Sequence, residues 1–225
     1  MFFFLMIHFL KKAFRKLRNE LNNISEKLLI YVKDLRNKLK YGKNAPLYYE
    51  RIWVDPMKIK RMIPRDEVKR VTGIHRNRAS GVIVNWDDIE HSYPITEEFR
   101  IQYCFDHWKD GKSWEELGVI DHMSRTKKYG SWPIAKIKER FRMLDEAYQE
   151  TKKLGRLKTR REIDPSNFRE QHGILVHIGK NGEPVFGGNG FHRLAIAQVL
   201  KLDEIPACVG MVAKSSIHQL KEYRR

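Results

Sequence analysis

A strand-like run and a helix-like run meet at Gly187-Gly188-Asn189-Gly190-Phe191-His192-Arg193, and this joint limits what the chain can fold into. Glycine lets the backbone take positive φ and lets another group come close. Before the joint, Ile174 to Ile178 reads as a strand, Gly179-Lys180-Asn181-Gly182 as a hairpin turn, and Glu183 to Phe186 as the strand that pairs back. An Asn-Gly pair supplies the positive φ of a tight hairpin. After the joint, Phe191 to Leu200 reads as a helix, Ile205 to Val212 as a strand, and Ser215 to Glu222 as a closing helix. This pattern predicts an α+β fold. The joint also has a chemical meaning. The first N–H groups of a helix lack intrahelical partners, and the macrodipole favours an anion beside them. His192 and Arg193 add donors, and Arg suits bidentate phosphate contact. Gly188, Asn189, Gly190, His192 and Arg193 are therefore the candidate phosphate-binding residues. The competing reading is a tight turn in which His192 and Arg193 cap or pair locally.

The chain has 225 residues, which suits one domain with an extension. Its formal net charge of +16 points to anionic partners: nucleic acid, acidic lipid or phosphorylated small molecules. Half of that charge sits in residues 1–45, which hold eleven Lys/Arg against three Asp/Glu, a net +8. Cys104 and Cys208 form no metal-ligand spacing and read as reduced thiols of a cytoplasmic protein.

Residues 1–45 read as a basic amphipathic helical arm. Met1 to Leu10 is apolar, but spanning a bilayer takes about 20 such residues. Leu10, Phe14, Leu17, Leu21, Ile24, Leu28, Tyr31 and Leu35 then recur at alternating steps of four and three. That is the spacing of a coiled coil or a strongly amphipathic helix. Two uses remain open for residues 1–40: binding an anionic membrane surface, at its inner face, or packing on the body or on a second copy. Gly42 and Pro46 end the helix and mark the boundary.

Residues 46–225 read as the main domain. Arg51 to Val54 and Gly81 to Val84 are strand candidates, and residues 57–80 read mostly as loop with a short helix. Pro94 to Asp110 looks helical. Ser113 and Glu116 have the spacing of a capping box that starts a short helix. Trp132 to Leu154 is the strongest helix, with Ile134, Ile137, Phe141, Leu144 and Tyr148 on one core-facing stripe.

The order strand, Asn-Gly turn, strand, glycine joint, helix and strand resembles the ParB/sulfiredoxin superfamily. The residues that carry the likeness are Gly188-Asn189-Gly190-Phe191-His192-Arg193-Leu194-Ala195-Ile196-Ala197 and Asp203-Glu204-Ile205-Pro206. Ile52 to Pro56 matches the superfamily's first strand, and residues 66–165 become a long, largely helical insertion. The whole is similar to a prokaryotic ParB-like branch. The resemblance implies a mixed sheet with helices in which the joint holds nucleotide phosphates, ATP or CTP with Mg²⁺. It also implies NTPase or phosphotransferase activity, and it adds Arg65 to the candidate site. Phe191 stands where sulfiredoxins carry their catalytic Cys, so that activity is not expected. The alternative is a non-catalytic DNA- or partner-binding protein. Too few residues follow the last strand for the helix-turn-helix of partition proteins.

Further residues have two readings each. His177 suits a strand face in the core, and His75-Arg76-Asn77-Arg78 suits either a solvated loop or phosphate contact. Asp87, Asp88 and Glu90 form an acidic cluster that suits either solvent or a Mg²⁺ ion, but nothing places it near the joint, and no metal ligands are assigned.

Overall fold

The computed structural model of the protein describes residues 25–126 and 129–225. Its strands are β1 (Arg51–Val54), β2 (Arg61–Met62), β3 (Ile83–Val84), β4 (Tyr93–Pro94), β5 (Ile174–Ile178), β6 (Pro184–Phe186) and β7 (Ile205–Ala213). Its helices are α1 over 25–41, α2 (Arg65–Thr72), α3 (Phe99–Trp108), α4 (Val119–Ser124), α5 (Ile134–Leu154), α6 (Arg160–Ile163) and α7 (Phe191–Val199). The fold is α+β, with one mixed sheet in the order β1-β7-β5-β6-β2-β4. β3 joins the far end of β7, pairing Ile83 with Val212.

The centre of the sheet is apolar on both sides. All five residues of β5 and all nine of β7 are buried, as parallel neighbours covered on both faces must be. On one face Ile174, Val176, Phe186 and Val209 pack with Leu194 of α7, Ile101 of α3 and Phe141 of α5. On the other face Leu175 and Cys208 meet Ile30 of α1 and Tyr49, while Val185 and Met211 meet Val68 of α2. The hairpin between β5 and β6 turns at Gly182, whose φ is +83°.

Several local expectations need correction. Residues 57–80 hold the expected short helix as α2, but β2 and two 3-10 turns replace much of the expected loop. β2 is two residues long, too short for alternation to show. The segment from Pro94 starts in β4 and a 3-10 turn, and α3 begins only at Phe99. Ser113 and Glu116 do form both bonds of the capping box, yet only a turn follows, because Gly118 at φ +63° resets the chain before α4. The closing helix is present as expected, as a 3-10 helix over Lys214–Tyr223. Ile134 leaves the α5 stripe and is exposed, while Ile137 and Phe141 are fully buried.

The α3–α5 contact sets the walls of the site described next. Asp145 of α5 accepts the indole N–H groups of Trp108 and Trp114, each at 2.9 Å, and lies 2.9 Å from His107 Nε2. Hydrogen bonds to a charged acceptor are stronger than neutral ones, so this carboxylate fixes α3 against α5.

α1 docks through a mostly polar face. Asp34 accepts the Tyr48 N–H at 2.7 Å and pairs with Arg169 at 2.7 Å. The Asn37 amide donates to the carbonyls of Pro46 and Gly81, at 2.9 and 2.8 Å. Leu10, Phe14, Leu17, Leu21 and Ile24 of the expected stripe lie outside the described residues. No helix among the described residues is long and apolar enough to cross a membrane.

Candidate phosphate-binding site

β6 runs into the joint without losing its ladder. Gly187 N–H donates to Leu175 O at 2.8 Å, and Leu175 N–H donates to Asn189 O at 3.0 Å. Two positions demand glycine. Gly190 caps α7 at φ +87°, and a Cβ there would sit 2.9 Å from the Ile174 Cα. Gly188 takes φ +77°, and a Cβ there would sit 2.5 Å from the Arg76 guanidinium. The first intrahelical bond of α7 runs from Leu194 N–H to Gly190 O at 2.9 Å. The amides of Phe191, His192 and Arg193 precede it and have no partner within the helix.

The five candidates divide into three groups. Gly188 and Gly190 shape the turn. Asn189 is committed to it, since its side-chain amide donates to Gly173 O at 2.8 Å. An Asp at this position would face that carbonyl with no hydrogen to give. Arg193 donates through Nη2 to the Lys158 carbonyl, while its Nη1 is buried with no hydrogen-bond partner. Burial lowers its pKa, against the opposing pull of the Glu170 carboxylate. Glu170 is itself fully buried, and burial raises its pKa. Arg193 thus ties the segment before α6 to the first turn of α7.

His192 stays at the joint. Its Nε2 lies 2.6 Å from the Tyr103 hydroxyl. Burial lowers the His192 pKa to about 4, and the charges of Arg140 and Arg100 push the same way. The ring is therefore neutral near pH 7.

The residues that sequence reasoning undervalued are arginines. Arg76, in the 3-10 turn after α2, extends its half-buried guanidinium over Gly188. Its Nε is buried with no hydrogen-bond partner. Burial lowers its pKa, and Arg100 and Arg65 lower it further, opposed by Glu98 and Tyr93. Arg100, in the first turn of α3, lies 3.5 Å above the Phe191 ring. Arg140 of α5 also has a buried Nε without a partner. Neither Arg76 nor Arg140 has a carboxylate within 4.0 Å among the described residues. Glu98 is held by Arg100 at 2.7 Å and by the Tyr93 hydroxyl at 3.0 Å. Arg65, exposed at the start of α2, contributes charge from the rim. The sequence signal for Arg76 was the His75–Arg78 run, while nothing local singled out Arg100 or Arg140.

Among the described residues no three His, Cys, Asp or Glu side chains cluster as metal ligands would. A Mg²⁺ ion here would take its ligands from phosphate and water, as this ion commonly does. Asp87 pairs with Lys180 at 2.9 Å and Glu90 with Arg70 at 3.1 Å, so two members of the acidic cluster already have cationic partners. His177 is fully buried, accepts the Met211 N–H on Nδ1 at 2.8 Å, and serves the core. Both cysteines are buried free thiols. No family model, no curated protein and no solved structure matches the chain.

Proposed function

We propose that the chain is a ParB/sulfiredoxin-like domain that binds a nucleotide or another phosphorylated ligand across the N-terminus of α7. The observation that carries this reading is the Arg76 guanidinium, held over Gly188 with a buried, unpartnered Nε and no carboxylate within 4.0 Å among the described residues, beside Arg100 and Arg65, which pair with Glu98 and Asp66. Crowding like charges at a half-buried place is unfavourable unless an anion joins them. The amides at the start of α7, without partners within the helix, add donors for phosphate oxygens. ATP or CTP with Mg²⁺ is the ligand class that the sequence resemblance favours. In an NTPase or phosphotransferase the same arginines would stabilise charge developing on the phosphoryl group. The protein would work in the cytoplasm, with both cysteines reduced.

A thermal-shift screen tests this reading. A ligand present at about a hundred times its Kd adds about 2.7 kcal/mol to folding stability. A nucleoside triphosphate with Mg²⁺ is expected to raise Tm by several degrees. Silence across nucleotides and phosphosugars alike would contradict the reading.

A second reading rests on a separate feature. A cleft of about 990 Å³ opens beside β1, lined by Lys27, Arg51, Arg161 and Arg224 together with Trp53 and Phe168. Cations interleaved with aromatic rings suit a DNA strand or an acidic partner. Binding to random DNA that weakens steeply with salt, with no response to nucleotides, would favour this alternative.

A further inference from the structure

We infer that the outward face of α1 lies on an anionic lipid bilayer. α1 has two working faces. Ile30, Asp34 and Asn37 hold it to the body. Leu28, Val32, Leu35 and Leu39 recur at steps of four, three and four, which places them on one stripe of a helix with 3.6 residues per turn. That stripe lies on the side opposite Ile30. Its members are 65%, 59%, 58% and 80% exposed, and no other part of the described chain covers them. A monomeric protein rarely leaves so continuous an apolar strip to water without a use for it.

Charge selects the occupant. Arg36, Lys38 and Lys40 lie beside the stripe, all exposed, and the Lys33 ammonium sits over the Tyr48 ring. None of them pairs with a carboxylate among the described residues. Of the two carboxylates on α1, Glu26 and Asp34, the second is buried against Arg169. The surface is thus apolar along its crest and cationic along its flanks. This matches a helix that sinks leucines to the level of the acyl chains and keeps Lys and Arg among anionic headgroups. A second copy packed on the stripe would bring these flanks together cation against cation. The sequence continues the pattern upstream, with Phe14, Leu17, Leu21 and Ile24 at the same period and Lys11, Lys12, Arg15, Lys16 and Arg18 beside them.

Vesicle sedimentation with the full chain tests the inference. The protein is expected to pellet with phosphatidylcholine vesicles containing phosphatidylglycerol and to stay in solution with phosphatidylcholine alone. The double variant V32D/L35D changes two exposed side chains, so its Tm should match the wild type, while its vesicle affinity falls at least about tenfold. Three results would overturn the inference: wild type that ignores anionic vesicles, a variant that binds them as wild type does, or a wild-type dimer in solution that V32D/L35D converts to monomer. The last would make a second copy the occupant.

Discussion

Lowering the pH from 6.5 to 4 is expected to remove most of the protein's folding stability. Two histidines are held neutral by the fold. Complete burial lowers the His177 pKa from its ordinary 6.5 to about 3, and burial beside Arg140 and Arg100 lowers that of His192 to about 4. The sign follows from proton counting. Between pH 6.5 and 4 the unfolded chain binds protons at both rings and the folded chain binds few. Stability is therefore fully present above pH 6.5 and is lost as the pH falls toward the folded values. Each such proton changes stability by about 1.4 kcal/mol per pH unit, so two give a slope near 2.7. The loss down to pH 4 is on the order of 5 kcal/mol, comparable to the whole stability of many domains. Carboxylates held low by ion pairs, Glu67 beside Arg70 and Glu162 beside Arg156, act mainly below their ordinary 4.5. Glu170, raised by burial, works in the opposite direction. Urea denaturation at a series of pH values measures the slope, and H177Q should reduce it by about one proton, roughly 1.4 kcal/mol per pH unit. A stability profile flat from pH 6.5 to 5 would show that neither ring is buried as the structure has it.

The second large effect belongs to Gly190. Gly190→Ala is expected to cost about 3 kcal/mol, and Gly190→Val to prevent folding. The left-handed backbone alone costs an L-residue about 1–2 kcal/mol. The remainder comes from overpacking, because the new Cβ meets the Ile174 backbone at 2.9 Å, and a backbone atom cannot swing aside. Gly73 separates the two terms. It has φ +71° with nothing within 4 Å of its Cβ position, so Gly73→Ala carries only the conformational part. Equal losses at the two sites, read from urea midpoints, would mean that α7 does not press against β5 as closely as described.

Much of the fold was legible in local sequence. β5, β6 and the turn between them follow from an apolar run, an Asn-Gly pair and a second apolar run. α5 was legible because Ile137, Phe141, Leu144 and Tyr148 repeat over many turns. β2 and β4 were not, since each is two residues long and exists through pairing, β2 with both β4 and β6. The docked face of α1 was hidden for another reason. Asp34 and Asn37 hold the helix by hydrogen bonds to loop backbone, and hydrophobic periodicity carries no trace of that. The joint itself announced a turn and a helix N-terminus. Which side chains would surround it was a tertiary matter: Arg193, adjacent in sequence, faces Lys158, while Arg76 and Arg100 arrive from elements 90 or more residues away.

Titration calorimetry with tripolyphosphate, comparing wild type with Arg76→Gln, decides whether the basic ring holds phosphate. Wild type should show one saturable site. The variant should bind at least about tenfold more weakly while melting no lower, because losing Arg76 relieves repulsion from Arg65 and Arg100. Equal affinity in the two proteins, or no binding by the wild type, would contradict the phosphate site.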